Sequence, residues 1–326
     1  MRSRSELTRR YWTLGTLGLV ACRPRARPSD YEVDEIPPQF LNMPDPAHPA
    51  TPMRTRPIPR TGELLPVIGL SSGLALVSSG AEVGRVPMGE VLRVLIAAGG
   101  RAIDAFAAEE DAERITGELL KSTGVGSAAF LAARVQTRGK QAGQVQMEQS
   151  LRRLGRRNID LMQVHDLTDF ATQIQTLVRW RVIGHARYIG ATVSRVEDLP
   201  ALEQAIKSGR LDFVQVPFSI VARAAHERVL PLAADHGVAV LVSRPLAGGR
   251  VFDAVRHRPL PDWARGVECS TWSQIFLKWI LSHDEVHCIL PATSNPRHMA
   301  DNVGAGFGPL LDSSQRRALV EIVDGP

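Results

Sequence analysis

The sequence predicts a single α/β domain over residues 53–326, a (β/α)8 barrel of the TIM type with a β-hairpin ahead of it and an added helix at its C-terminal end. Three observations carry this reading. Eight compact apolar runs alternate with amphipathic stretches of helical period, and glycine stands repeatedly where a helix must stop. No GxGxxG follows the first strand, as the first turn of an open dinucleotide-binding sheet often has. At 326 residues and 44% hydrophobic content, the chain has enough material for one large core.

The segment before the barrel has a different composition. Arg2, Arg4, Arg9 and Arg10 precede a short apolar run, residues 11–21, in the order of an export signal. Eleven helical residues rise only about 16 Å against a hydrocarbon core of ~30 Å, too short for a stable span. Thr8-Arg9-Arg10-Tyr11-Trp12 resembles a twin-arginine signal, and Leu19-Val20-Ala21-Cys22 resembles a lipobox whose cysteine is acylated. A Sec signal with an incidental arginine pair, or a cysteine that merely falls near the cleavage site, are the alternatives. The expectation is an exported protein, periplasmic or anchored to a membrane only through a lipidated Cys22. Residues 22–52, proline-rich from Pro24 to Pro52 and without apolar periodicity, are predicted to be an extended tether.

Charge and cysteine usage exclude several classes. Of the formal +5, the first twenty-one residues carry +3, which leaves +2 for the rest. No later stretch interleaves Lys or Arg with aromatics along one face, so a nucleic-acid partner is not expected. Cys22, Cys269 and Cys288 form no CxxC and no zinc-like spacing with histidine, so neither a metal site nor a disulfide framework is expected. A Cys269–Cys288 bridge stays open.

The barrel elements follow in order. A hairpin is predicted from residues 53–59 and 64–70 across Arg60-Thr61-Gly62-Glu63. Buried parallel strands are predicted at residues 67–70, 102–106, 128–135, 159–165, 188–193, 213–218, 238–242 and 288–291, each apolar on both faces. Helical spacing between them is clearest at Val91-Leu92-Val94-Leu95, Met147-Leu151-Leu154, Leu199-Leu202-Ala205-Ile206 and Ile275-Phe276-Trp279-Ile280. Gly99, Gly124, Gly184, Gly209 and Gly237 close helices before the next strand.

In such a barrel the chemistry belongs at the C-terminal ends of the strands. The side chains placed there are Asp104, Glu109, Arg134, His165, Gln215, Ser243, Arg244 and the run Thr293-Ser294-Asn295. Five segments in sequence together resemble the aldo-keto reductases: Gly99-Gly100-Arg101-Ala102-Ile103-Asp104, Asn158 to His165, Leu211-Asp212-Phe213-Val214-Gln215, Ser243 to Gly249, and Leu290 to Pro296 with Asn302 beyond. That resemblance implies an NADP(H)-dependent carbonyl reductase, monomeric and metal-free, acting on a small-molecule carbonyl. It implies Gln215 under the nicotinamide, and Ser243, Arg244, Pro245, Leu246, Thr293, Ser294, Asn295, Arg297 and Asn302 around the phosphates and adenine ribose. Arg297 and His298 open the last barrel helix, where backbone amides favour anions.

The family's chemistry uses an Asp, Tyr, Lys and His tetrad, in which the tyrosine protonates the carbonyl oxygen as hydride arrives at carbon. The aspartate position matches Asp104 and the histidine position His165. Glu109 stands where the tyrosine belongs and Arg134 where the lysine belongs. A guanidinium stays charged and can pair with carboxylates, so Asp104, Glu109 and Arg134 are expected to form a neutralised cluster, not a proton donor. Thr192-Val193 and Pro217-Phe218 also depart from the polar pairs the family places there. The first reading is therefore a catalytically impaired homologue that binds a small ligand or a partner at the mouth. A working reductase with Glu109 as acid is the alternative, and hydrolysis by Glu109, Glu110, Asp111 and His165 is a third.

Overall fold

The structure, a computed structural model, describes residues 52–73, 75, 85–105 and 110–325. The expected export segment, Cys22 and the tether up to residue 51 lie outside the described residues, as does Glu109.

Strands β1 (Thr55–Pro57) and β2 (Leu64–Pro66) form the antiparallel hairpin, with Arg56 opposite Leu65. The barrel strands are β3 (Leu70–Ser71), β4 (Ala102–Asp104), β5 (Phe130–Val135), β6 (Ile159–Val164), β7 (Ala186–Thr192), β8 (Phe213–Pro217), β9 (Ala239–Ser243) and β10 (Val286–Leu290), paired in chain order as one parallel eight-stranded sheet. The ring closes where the chain from the hairpin meets β10: Ile68 bridges Ile289, Gly69 N donates to Ile289 O at 2.9 Å, and Ile289 N donates to Val67 O at 2.8 Å. Gly69 is needed at this seam, since a Cβ there would stand 2.4 Å from the carbonyl oxygen of Ala102.

Around the sheet run α1 (Arg85–Ala97), α2 (Glu110–Ser122), α3 (Lys140–Arg153), α4 (Phe170–Val182), α5 (Leu199–Lys207), α6 (Ala224–Asp235), α7 (Trp272–Leu281) and α8 (Pro296–Gly304). The added helix is α9 (Ser313–Asp324), started by a capping box in which the Asp312 carboxylate accepts from Ser314 N and Gln315 N. Strand limits depart from expectation in ways the chain explains. β5 begins at Phe130 because Gly126–Ala128 forms a 3-10 turn. The first barrel strand is shifted to Leu70–Ser71 because Val67 N is still bonded to Arg54 O of the hairpin.

Inward-facing positions recur every second residue, which lays the interior down in layers. At the end where strands begin, Phe130, Tyr188 and Phe213 pack ring to ring at centroid distances of 5.4–5.9 Å, with Ile58 and Leu65 of the hairpin in the same cluster. Ala132, Leu161 and Leu241 follow, and this apolar fill makes the barrel a packed core, not a channel. The hairpin stoppers this end. Tyr188 Oη meets Thr61 Oγ1 at 2.6 Å and donates to Glu63 at 2.8 Å, and the Asp212 carboxylate accepts from Arg181 at 2.8 Å and pairs with Arg60 at 3.1 Å. Asp160 ties β6 to its neighbours by accepting from Leu131 N at 2.8 Å and from Arg187 at 2.7 Å. Cys269 and Cys288 are both buried free thiols, so the bridge left open between them is not formed.

Candidate active site at the barrel mouth

The same two-residue period that packs the barrel floor delivers polar side chains to its other end. Above Ala102 on β4 comes Asp104; above Phe130 and Ala132 on β5 comes Arg134; above Leu161 on β6 come Gln163 and then His165; β7 ends at Thr192; and above Phe213 on β8 comes Gln215. Register explains their meeting. Asp104 pairs with Ala132 and Arg134 with Gln163, so the guanidinium and the carboxylate come from adjacent strands two residues apart in height.

Arg134 donates to Asp104, whose side chain is 1% exposed, in a short charge-assisted contact. Gln215 Nε2 donates to the same carboxylate at 3.1 Å, and Gln163 Nε2 donates to Gln215 Oε1 at 3.1 Å. Arg134 Nη1 also lies 3.3 Å from His165 Nδ1. A guanidinium can only donate, so Nδ1 must carry the lone pair and the proton sits on Nε2. Thr192 adjoins this arrangement: its hydroxyl accepts from Asp166 N at 3.3 Å and stands 3.2 Å from Nδ1. Burial first, then the Arg134 charge, push the His165 pKa below its ordinary value, so the imidazole is neutral at neutral pH. Beyond it the chain turns sharply, with Asp166, Leu167 and Asp169 all at positive φ, and Ser194 donates to Asp166 at 2.8 Å.

Asp104, Arg134, His165 and Gln215 are thus brought together. Gln163 and Thr192 belong to the same network and were not among the expected site residues. Gln163 was legible as the residue two before His165, on the same face. Glu109 lies outside the described residues. Asp111, a member of the hydrolytic reading, is an exposed side chain of α2 paired with Arg114 at 3.0 Å.

No lysine replaces Arg134. The chain's lysines are Lys121, Lys140, Lys207 and Lys278, all on helices. Lys278 is fully buried on α7, where it donates to Phe307 O at 2.7 Å and to Val267 O. Of three tyrosines, Tyr11 and Tyr31 lie outside the described residues, and Tyr188 sits at the hairpin end.

A second group lines the loops after β9 and β10. Ser243 ends β9; Arg244, exposed, adopts φ +50°; Pro245 is buried; Leu246 leads into a 3-10 segment with Gly248 and Gly249 at positive φ. Thr293, Ser294 and Asn295 lead from β10 into α8, where Asn295 caps the helix by accepting from Arg297 N at 2.9 Å. The Arg297 side chain is exposed beside that cap. Asn302 is buried one turn further on, accepting from Ser273 of α7 at 3.0 Å.

Comparison with known proteins agrees with the fold. The sequence profile of the Aldo/keto reductase family matches residues 77–324. An uncharacterized oxidoreductase of Schizosaccharomyces pombe is 31% identical over 165 residues, 48% of this chain and 50% of that protein. The NADH-specific methylglyoxal reductase of Escherichia coli is 26% identical over 189 residues, 48% of this chain and 56% of its own. The chain spans about half the length of these curated relatives. Among solved structures, an aldo-keto reductase of Klebsiella pneumoniae in complex with NADPH superposes with a TM-score of 0.69 at 21% identity, covering 85% of this chain and 97% of that one. The holo form of an aldo-keto reductase of Bacillus halodurans gives 0.66 at 22% identity, covering 83% and 96%. Both share the fold.

Proposed function

Because the chain belongs to the aldo/keto reductase family, we propose that its barrel holds an anionic, nucleotide-like ligand at the mouth without running the family's proton relay. The observation that carries this reading is the placement of Arg134. Its guanidinium lies between Asp104 and His165, where it adds to burial in keeping the imidazole neutral and offers a permanent charge instead of a transferable proton.

The residues divide in how they fit NADP(H), the cofactor the family implies. The loops after β9 and β10 fit its phosphates. Arg244 and Arg297 are exposed cations, Ser243, Thr293 and Ser294 supply hydroxyls, and α8 turns its amino end toward the same region. The mouth fits its nicotinamide poorly. Gln215, expected beneath that ring, is bonded through both amide atoms to Asp104 and Gln163, and Thr192 is engaged with His165. When bound, the cofactor would supply hydride; the described residues of the mouth supply no acid to go with it.

The alternative, in which Glu109 is the acid, requires a raised carboxyl pKa. Were that carboxyl to reach the mouth, the Arg134 cation there would favour the carboxylate instead. Calorimetric titration with NADPH and NADP+ tests the binding half of the proposal. The expected outcome is binding that weakens about tenfold or more in Arg244→Ala/Arg297→Ala, in keeping with about 1.5 kcal/mol or more for a charge-assisted phosphate contact. Wild-type protein that binds neither nucleotide contradicts it. Carbonyl reduction that disappears in Glu109→Ala would establish the alternative.

A further inference from the structure

The floor of the barrel, opposite the mouth, carries unpaired basic residues along one arc of its turns. β5, β6, β7 and β8 are consecutive neighbours, so the turns that precede them form a continuous arc on the floor. Lys121 stands in the last turn of α2 before β5, Arg157 lies between α3 and β6, Lys207 ends α5 and Arg210 lies between α5 and β8; all four are exposed and none has an ion-pair partner among the described residues. The acids of the same arc are already paired. Asp160 is held by Arg187 at 2.7 Å, Asp212 by Arg181 at 2.8 Å and Arg60 at 3.1 Å, and Glu63 by Arg187.

In the middle of the arc, at the turn from α4 to β7, Val182 and Ile183 are 80% and 55% exposed. Leu64, 57% exposed, stands beside Glu63, whose carboxylate reaches Arg187 and Tyr188 of β7, so the third aliphatic side chain belongs to the same sector. The arc therefore places exposed aliphatic residues between two groups of unpaired cations. That pattern suits the interface of an anionic bilayer, where basic residues meet headgroups and short apolar side chains enter the acyl boundary. A nucleic acid would use the cations and leave the aliphatic residues in water, and no exposed aromatic interleaves them.

We propose that this sector of the floor docks on an anionic phospholipid surface, with Arg157, Lys207 and Arg210 on headgroups and Val182 and Ile183 inserted, leaving the mouth directed away from the membrane. Co-flotation of the full chain with vesicles of phosphatidylcholine, with and without phosphatidylglycerol, tests it. Each basic residue near such a surface contributes about fivefold in affinity, so Arg157→Ser/Arg210→Ser should weaken binding to the anionic vesicles about 25-fold. Val182→Ser/Ile183→Ser should weaken it as well, while Arg138→Ser/Lys140→Ser, at the mouth end, should not. A second readout reports the docked face whatever residues 1–51 contribute. An environment-sensitive fluorophore on Ile183→Cys, in a Cys22→Ser background, should shift to the blue on anionic vesicles, and the same label on Arg138→Cys should not. Equal binding by wild type and the floor variants together with an unshifted label at position 183 would overturn the proposal. So would binding to heparin in place of vesicles that needs the arginines but not Val182 and Ile183.

Discussion

The guanidinium of Arg134 donates to Asp104 and His165 at once, and it is the only described group that spans both. Asp104 is 1% exposed, and both that guanidinium and Gln215 Nε2 donate to it. Breaking a buried pair from one side leaves an uncompensated charge and costs about 3–5 kcal/mol. Arg134→Met is accordingly expected to lower stability by that order in a denaturant titration, and Arg134→Lys, which keeps a cation, by clearly less. Equal losses for the two substitutions would mean that packing, not charge, fixes this position. At this scale the sequence was informative but incomplete. Position 134 could be placed directly, because a strand register fixes which residue of β5 reaches the mouth; position 109 lies outside the described residues. The part played by Thr192 could not, since its hydroxyl meets the imidazole and Asp166 N only through the sharp turn that follows β6.

At the scale of elements, the barrel depends on a short seam. β3 has only two residues, and closure relies on backbone bonds in which Gly69 N donates to Ile289 O, Ser71 N to Pro291 O and Ile289 N to Val67 O. An alanine at position 69 would bring its Cβ against the Ala102 carbonyl at 2.4 Å, a contact with backbone that no side-chain rotation relieves. Gly69→Ala is therefore expected to destabilise by about 2 kcal/mol or more, within the range for overpacking, and to accelerate amide exchange along β3 and β10 before other strands. Uniform exchange across the sheet would contradict a local seam. The eight strands, the hairpin and the added helix were legible because period-two burial and helix-stopping glycines are local signals. Strand limits were less so: Val67 looks like strand by composition and its carbonyl accepts from Ile289 N, but its own N–H is bonded to Arg54 O of the hairpin.

For the molecule as a whole, the histidines set a pH limit. Burial, then the neighbouring His226, hold His283 at about 4, and burial holds His287 at about 4, against an ordinary 6.5. Above pH 6.5 both are neutral in the folded and unfolded states and stability does not depend on them. As the pH falls from 6.5 toward 4 the unfolded chain takes up protons that the folded chain refuses, so stability declines, by on the order of 3 kcal/mol for each group. Urea midpoints should fall between pH 6.5 and 5, a window in which most carboxylates remain ionised. A flat profile there would show both imidazoles to be less confined than the fold implies. The conversion of a reductase mouth into a charge-paired one is the wider claim, and turnover addresses it most directly. Full-chain protein is mixed with NADPH and methylglyoxal and the nicotinamide absorbance is followed. The account predicts no carbonyl-dependent loss of NADPH by the wild type. A steady, enzyme-proportional loss would contradict it.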